Sequence, residues 1–217
     1  MNIRQKILFF IFLIFLIQSC ATYDLQLSQD SEPLDKSKAN TEHTFYLIGD
    51  VGAALENDRP LEDLKLKLNR ANKNSTVIFL GDNIYPKGFN TETKEDEEYA
   101  ENTLDRQIEI LENFKGQTLF IPGNHDWYSG VKALKDQEKY VEDGAGDNTF
   151  QPENGCPIEK IEISDHILLL IVDSEWYITN WDKKPGINDE CEYRTREDFL
   201  DELSNEVKKA RGKTTLI

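Results

Sequence analysis

Short unbroken apolar runs recur along the chain, at residues 44–48, 76–80 and 118–121. Each is followed, directly or in the third case after Pro122, by a glycine and a polar residue: Gly49-Asp50, Gly81-Asp82 and Gly123-Asn124. A run of four or five apolar residues is too short for a helix and reads as a strand covered on both faces. The stretches between have a different rhythm. Pro60 leads into a leucine-rich, charged segment at 61–68, as proline does in a first helical turn. Residues 95–114 are strongly charged, with Leu104, Ile108, Leu111 and Phe114 at helical spacing. Strand, helix, strand, helix, strand predicts parallel βαβ units. Beyond them, 158–163 and 167–172 flank Ser164-Asp165-His166 and predict a hairpin. A helix is expected over about 195–210, and 214–217 begins another apolar run. The expected fold class is α/β, a mixed sheet flanked by helices.

The N-terminus follows other rules. Arg4 and Lys6 precede an apolar run from Ile7 to Ile17, shorter than the roughly 20 residues a spanning helix needs. It suits the core of a signal peptide, so residues 1–20 are set apart from the fold. The run closes in Ile17-Gln18-Ser19-Cys20, which resembles a bacterial lipobox with Cys20 as the lipidated mature N-terminus. The alternative is an ordinary signal peptide with an incidental cysteine. Residues 21–42 are polar, without apolar period, and read as a tether. The domain is assigned to 43–217. The expected location is therefore the bacterial cell envelope, with the protein held at a membrane by lipid and facing the periplasm or the exterior.

Two further cysteines, Cys156 and Cys191, would meet an oxidising compartment in an exported protein and form a candidate disulfide. Two free, half-buried thiols are the other reading. Charge narrows the partners: 25 Lys and Arg against 41 Asp and Glu give a formal net charge of −16. Such a surface repels a phosphate backbone, so nucleic-acid binding is not expected. A small anionic substrate remains open to the chain, because bound cations reverse the potential locally.

The candidate chemistry lies where the strands end, the edge at which open α/β sheets bind ligands. Asp50, then Asp82 and Tyr85, then Asn124, His125 and Asp126 follow the three runs. Two carboxylates, a phenol, an amide oxygen and an imidazole suit hard or borderline cations. Taken singly, each Gly-Asp is ordinary turn and cap chemistry, and Tyr85 could be a packed aromatic. Trp127, Trp176 and Trp181 read as core or rim aromatics, and Asp173 as structural.

Gly49-Asp50-Val51-Gly52, Gly81-Asp82-Asn83-Ile84-Tyr85 and Gly123-Asn124-His125-Asp126 together resemble the first three motifs of the calcineurin-like metallophosphoesterases. Most of that superfamily has a histidine two residues after the first aspartate, where this chain has Gly52. The paired change, Gly52 with Tyr85, is similar to the purple acid phosphatase branch. The resemblance implies a metallophosphoesterase sandwich and a phosphoric ester hydrolase, a phosphatase or phosphodiesterase. It implies two divalent or trivalent metal ions, iron with iron, zinc or manganese. Asp50 and Tyr85 would hold the first, Asn124 the second, and Asp82 both. His125 would meet the phosphoryl group, with Asp126 orienting its ring. The substrate class is a phosphate ester, with nucleotide or pyrophosphate hydrolysis as a rival.

The family also has histidine ligands on two later loops. Only His43, His125 and His166 occur here, and neither His43 nor His166 matches those motifs. The C-terminal half of the domain is therefore expected to be missing and to lie in a continuation of the same chain, and full activity is not expected of residues 1–217 alone. The contrasting function is a catalytically incomplete envelope lipoprotein serving as a scaffold or binding module.

Overall fold

A computed structural model describes residues 40–53, 58–184 and 187–217. The signal segment 1–20, Cys20 and the tether up to residue 39 lie outside the described residues. The elements below all belong to the unit Thr41–Ile217.

Three strands, β1 (Thr44–Ile48), β2 (Ser75–Phe79) and β3 (Gln117–Phe120), form a parallel sheet in the order β1-β2-β3. Helix α1 (Arg59–Leu68) connects the first two and α2 (Lys94–Glu109) the next two. Asp58 starts α1 by accepting the Leu61 N–H at 3.2 Å, with Pro60 in the first turn. Leu61, Leu64 and Leu68 line its buried face. Thr93 starts α2 in the same way, accepting the Asp96 N–H at 3.1 Å. Helix α2 ends five residues short of the expected 114. The chain instead tightens into successive turns, Leu111 N–H to Ile108 O and Phe114 N–H to Leu111 O. The apolar spacing continues through those turns because they stay packed on the core, so periodicity alone overshoots the helix end.

After β3 the chain makes the single-turn helix α3 (Asn124–Trp127) and then α4 (Gly130–Ala145). Helix α4 was not among the expected elements, although Leu134, Gln137, Glu138 and Val141 form its buried stripe. The hairpin appears as β4 (Ile158–Ser164) and β5 (Ile167–Val172), followed by α5 (Ser174–Ile178), α6 (Arg196–Lys209) and β6 (Thr214–Leu216). Strand β4 pairs antiparallel to β5, and β6 parallel to it, giving a second, mixed sheet.

Side chains alternate across a strand, and that alternation sorts the core into layers. On β2, Val77 and Phe79 face the helices, while Ile78 faces the second sheet. On β5, Leu169 and Ile171 meet Ile78 and Leu119, while Leu168 and Leu170 pack toward Leu203 of α6 and Ala210 just beyond its end. The architecture is helix, sheet, sheet, helix: the expected α/β sandwich, with helices flanking the pair of sheets. All five residues of β2 are buried for this reason. The Phe79 and Phe120 rings stack at 4.1 Å on the helical side, and truncating either to alanine costs about 3–5 kcal/mol. Trp127, Trp176 and Trp181 are all buried in the core.

Candidate metal centre

Parallel pairing in register, Ile48 beside Phe79 and Phe79 beside Phe120, brings the three strand tips side by side. Asp50 and Asp82 leave those tips with φ of 59° and 53°, the left-handed region. Aspartate is among the few residues with a side chain that tolerate it, and such backbone concentrates at functional sites.

The hydroxyl of Tyr85 lies 2.7 Å from Asp50 Oδ1 and 2.9 Å from Asp82 Oδ2. A phenol has one proton, so it can donate to only one of these carboxylates. The remaining oxygen pair sits at hydrogen-bonding distance without a proton between them. Hydrogen bonding to Asp50 is the largest influence holding the phenol proton on, followed by burial and then Asp82. A cation among the three oxygens would reverse that preference, since it favours phenolate and carboxylate together. The donor set therefore fits a metal ion. Among the described residues no three His, Cys, Asp or Glu side chains gather into a metal-holding group. Here the third and fourth donors are a phenol and an amide.

Close backbone contact sets the spacing of these loops. A Cβ on Gly123 would stand 2.3 Å from both the backbone N and the Oδ1 of Asp82. One on Gly52 would stand 2.5 Å from Asp82 O and 2.6 Å from Ile84 N. The first two loops thus touch through backbone at Gly52, and the Gly52 carbonyl accepts the Tyr85 N–H at 2.9 Å. A histidine at position 52 has no room without separating the loops.

On the other side, Asp82 Oδ1 accepts the backbone N–H of His125 at 3.1 Å. Asp82 is therefore tied by one oxygen to the Tyr85–Asp50 side and by the other to the third loop. Asn124 lines the same cleft as Asp50 and Asp82, and its Nδ2 donates to the Tyr128 hydroxyl at 2.6 Å. The His125 ring lies between Tyr85 and Tyr128, with centroids 4.4 and 4.6 Å away.

The expected partner of that ring is corrected by the structure. His125 Nδ1 donates to the carbonyl of Pro86 at 2.7 Å, and Asp126 does not hold it. The Asp126 carboxylate is fully buried and accepts the Gly123 N–H at 2.7 Å, the Asn83 N–H at 3.2 Å and Gln137 Nε2 at 2.9 Å. It points back under α3 as the third residue of the helix does in a capping box. Asp126 is thus a clamp between the second and third loops. Burial raises its pKa to about 6, opposed by the bonds from Gly123, Gln137 and Asn83.

The remaining candidates lie elsewhere. His43 contacts Thr76 Oγ1 at 2.9 Å, at the opposite end of β1 and β2. His166 sits in the β4–β5 turn, where its carbonyl accepts the Thr214 N–H. Cys156 and Cys191 are disulfide-bonded, with Cα atoms 5.5 Å apart, so the free-thiol reading is not the one seen. Asp173 caps α5 through the Trp176 N–H and also accepts from Trp127 Nε1. Sequence reasoning missed Pro86 and Tyr128. The Pro86 carbonyl carries no sequence signal, whereas Tyr128 falls one helical turn after Asn124, a spacing that brings side chains together.

Asp50, Asp82, Asn124 and Tyr128 all line one cleft of about 750 Å³. The α/β sandwich thus places carboxylate, phenol and amide oxygens at the carboxyl edge of its parallel sheet, a donor set of the kind that hard or borderline cations take. The chain belongs to the calcineurin-like phosphoesterase family, whose family model matches residues 43–217. Membership supports metal-dependent hydrolysis of phosphate esters. No curated protein and no solved structure matches the chain.

Proposed function

We propose that this protein hydrolyses phosphate esters at a dinuclear centre to which Asp50, Asp82, Tyr85 and Asn124 contribute donors, as in the purple acid phosphatase branch, where further histidines complete the set. The supporting observation is the single Tyr85 hydroxyl placed against two carboxylates, at 2.7 and 2.9 Å. Asp82 is the natural bridging ligand, because its two oxygens face opposite sides of the site. Bound cations would supply charge to offset the phosphate and acidify a water. Such cations would also reverse locally the negative potential of a chain with a formal charge of −16. Because Nδ1 of His125 donates to Pro86, Nε2 is the ring atom free to meet a phosphoryl or leaving oxygen. In its protonated form it can donate a proton there, and Pro86 fixes the ring for that transfer. Iron in the Tyr85 position, with iron, zinc or manganese beside Asn124, matches the donor set. Export and lipid attachment at Cys20 belong to the same reading, supported by the apolar N-terminal run and by the Cys156–Cys191 pair.

The test combines metal analysis of the purified chain with hydrolysis of 4-nitrophenyl phosphate and its bis-ester. Asp82→Asn should abolish both metal retention and turnover. A purple colour lost on Tyr85→Phe supports iron, while a colourless, fully active zinc or manganese enzyme overturns that assignment. Two tightly held metal ions per chain count against the scaffold function, and a chain that retains none supports it. Mass analysis of the mature N-terminus tests the lipid: an unmodified Cys20 rules out the anchor.

A further inference from the structure

We propose that Tyr128 is a positioning residue that turns the side-chain oxygen of Asn124 toward the metal centre. The inference rests on the metal-centre reading above and extends it to a residue outside the three motifs. Tyr128 follows Asn124 by one helical turn, so the two side chains meet by helix geometry. Asn124 Nδ2 donates to the Tyr128 hydroxyl at 2.6 Å. A planar amide has its nitrogen and oxygen on opposite sides, so fixing one fixes the other. With Nδ2 held by Tyr128, Oδ1 is left for a cation beside Asp82. The reverse orientation would aim an N–H group at positive charge. Ligands of metal ions are commonly held in this way by an outer partner.

Core packing does not account for Tyr128, because it is 57% exposed and lines the cleft. Its ring instead rests against His125, the residue proposed to meet the phosphoryl group, at 4.6 Å. The hydroxyl orients one functional side chain while the ring borders another.

The test is calorimetric titration of the metal-free full chain with Mn²⁺. Tyr128→Phe keeps the ring and removes the acceptor. It should weaken the Asn124 site by about 10–100-fold, leave the Asp50–Tyr85 site unchanged and leave the unfolding midpoint of the metal-free chain unchanged. The decisive comparison is made in an Asn124→Asp background. A carboxylate presents oxygen on both sides and needs no orienting, so Tyr128→Phe should have no effect on Mn²⁺ affinity there. Equal weakening in both backgrounds would mean a general structural role and overturn the proposal. Unchanged affinity of Tyr128→Phe in the parent background overturns it too. If the parent chain takes up no Mn²⁺, the metal centre fails and the Tyr128 role fails with it. Normal uptake with an indifferent Tyr128→Phe removes this role alone.

Discussion

Trp127 Nε1 donates to Asp173 Oδ2 at 2.7 Å, joining α3, the helix that opens with Asn124, to the tip of the second sheet. Both residues are buried, and Asp173 Oδ1 at the same time caps α5 by accepting the Trp176 N–H at 2.9 Å. One carboxylate therefore links the third site loop, strand β5 and the following helix. Removing it strands a buried indole donor and an uncapped helix start. Asp173→Ala should destabilise the fold by about 2–4 kcal/mol, read from urea unfolding. A change below about 0.5 kcal/mol would show that the loop and sheet are not joined here.

Stability should fall as pH rises toward neutrality. Glu138 accepts the Asn154 N–H through both oxygens, yet burial pushes its pKa from 4.5 to about 7. Burial likewise raises Asp173 from 3.8 to about 7. Between the ordinary carboxylate range and about pH 7, the folded chain holds protons that the unfolded chain has released. Stability is then highest below that window, declines through it and levels above it. Glu206, lowered by Lys209 and Lys160, has the opposite sign, but its contribution is complete above its ordinary 4.5. Glu138→Gln should make the decline in Tm shallower. A parent Tm that climbs across the same window contradicts the argument.

Restoring the histidine usual at position 52 in the superfamily should not restore a ligand. Its Cβ would press on Asp82 O at 2.5 Å, forcing the first two loops apart. Gly52→His should lose about 1–3 kcal/mol of stability and bind metal less well than the parent. Tighter metal binding at unchanged stability would mean that the loops open readily and admit the ring.

Much of this architecture is local in origin and therefore legible along the chain. Apolar runs fixed the strands, Pro60 the start of the first helix, and Gly-polar pairs the turns where Asp50, Asp82 and Asn124 emerge. These features depend on backbone preference and on whether neighbouring side chains share a face, which a sequence displays directly. Parallel pairing in register then made convergence of the three tips a consequence of the fold class.

Tertiary structure alone decided which groups meet across long separations. Pro86 rather than Asp126 holds the His125 ring, and Asp126 reaches back to Asn83 and Gln137. The Tyr85 hydroxyl falls between two carboxylates, and the loop at Gly52 closes on Asp82. The α2 helix stops early although its apolar rhythm continues. The physical reason is common to these cases. Periodicity reports which face a residue presents, whereas hydrogen-bond partners and sub-ångström clearances depend on how distant segments are pressed together by the core.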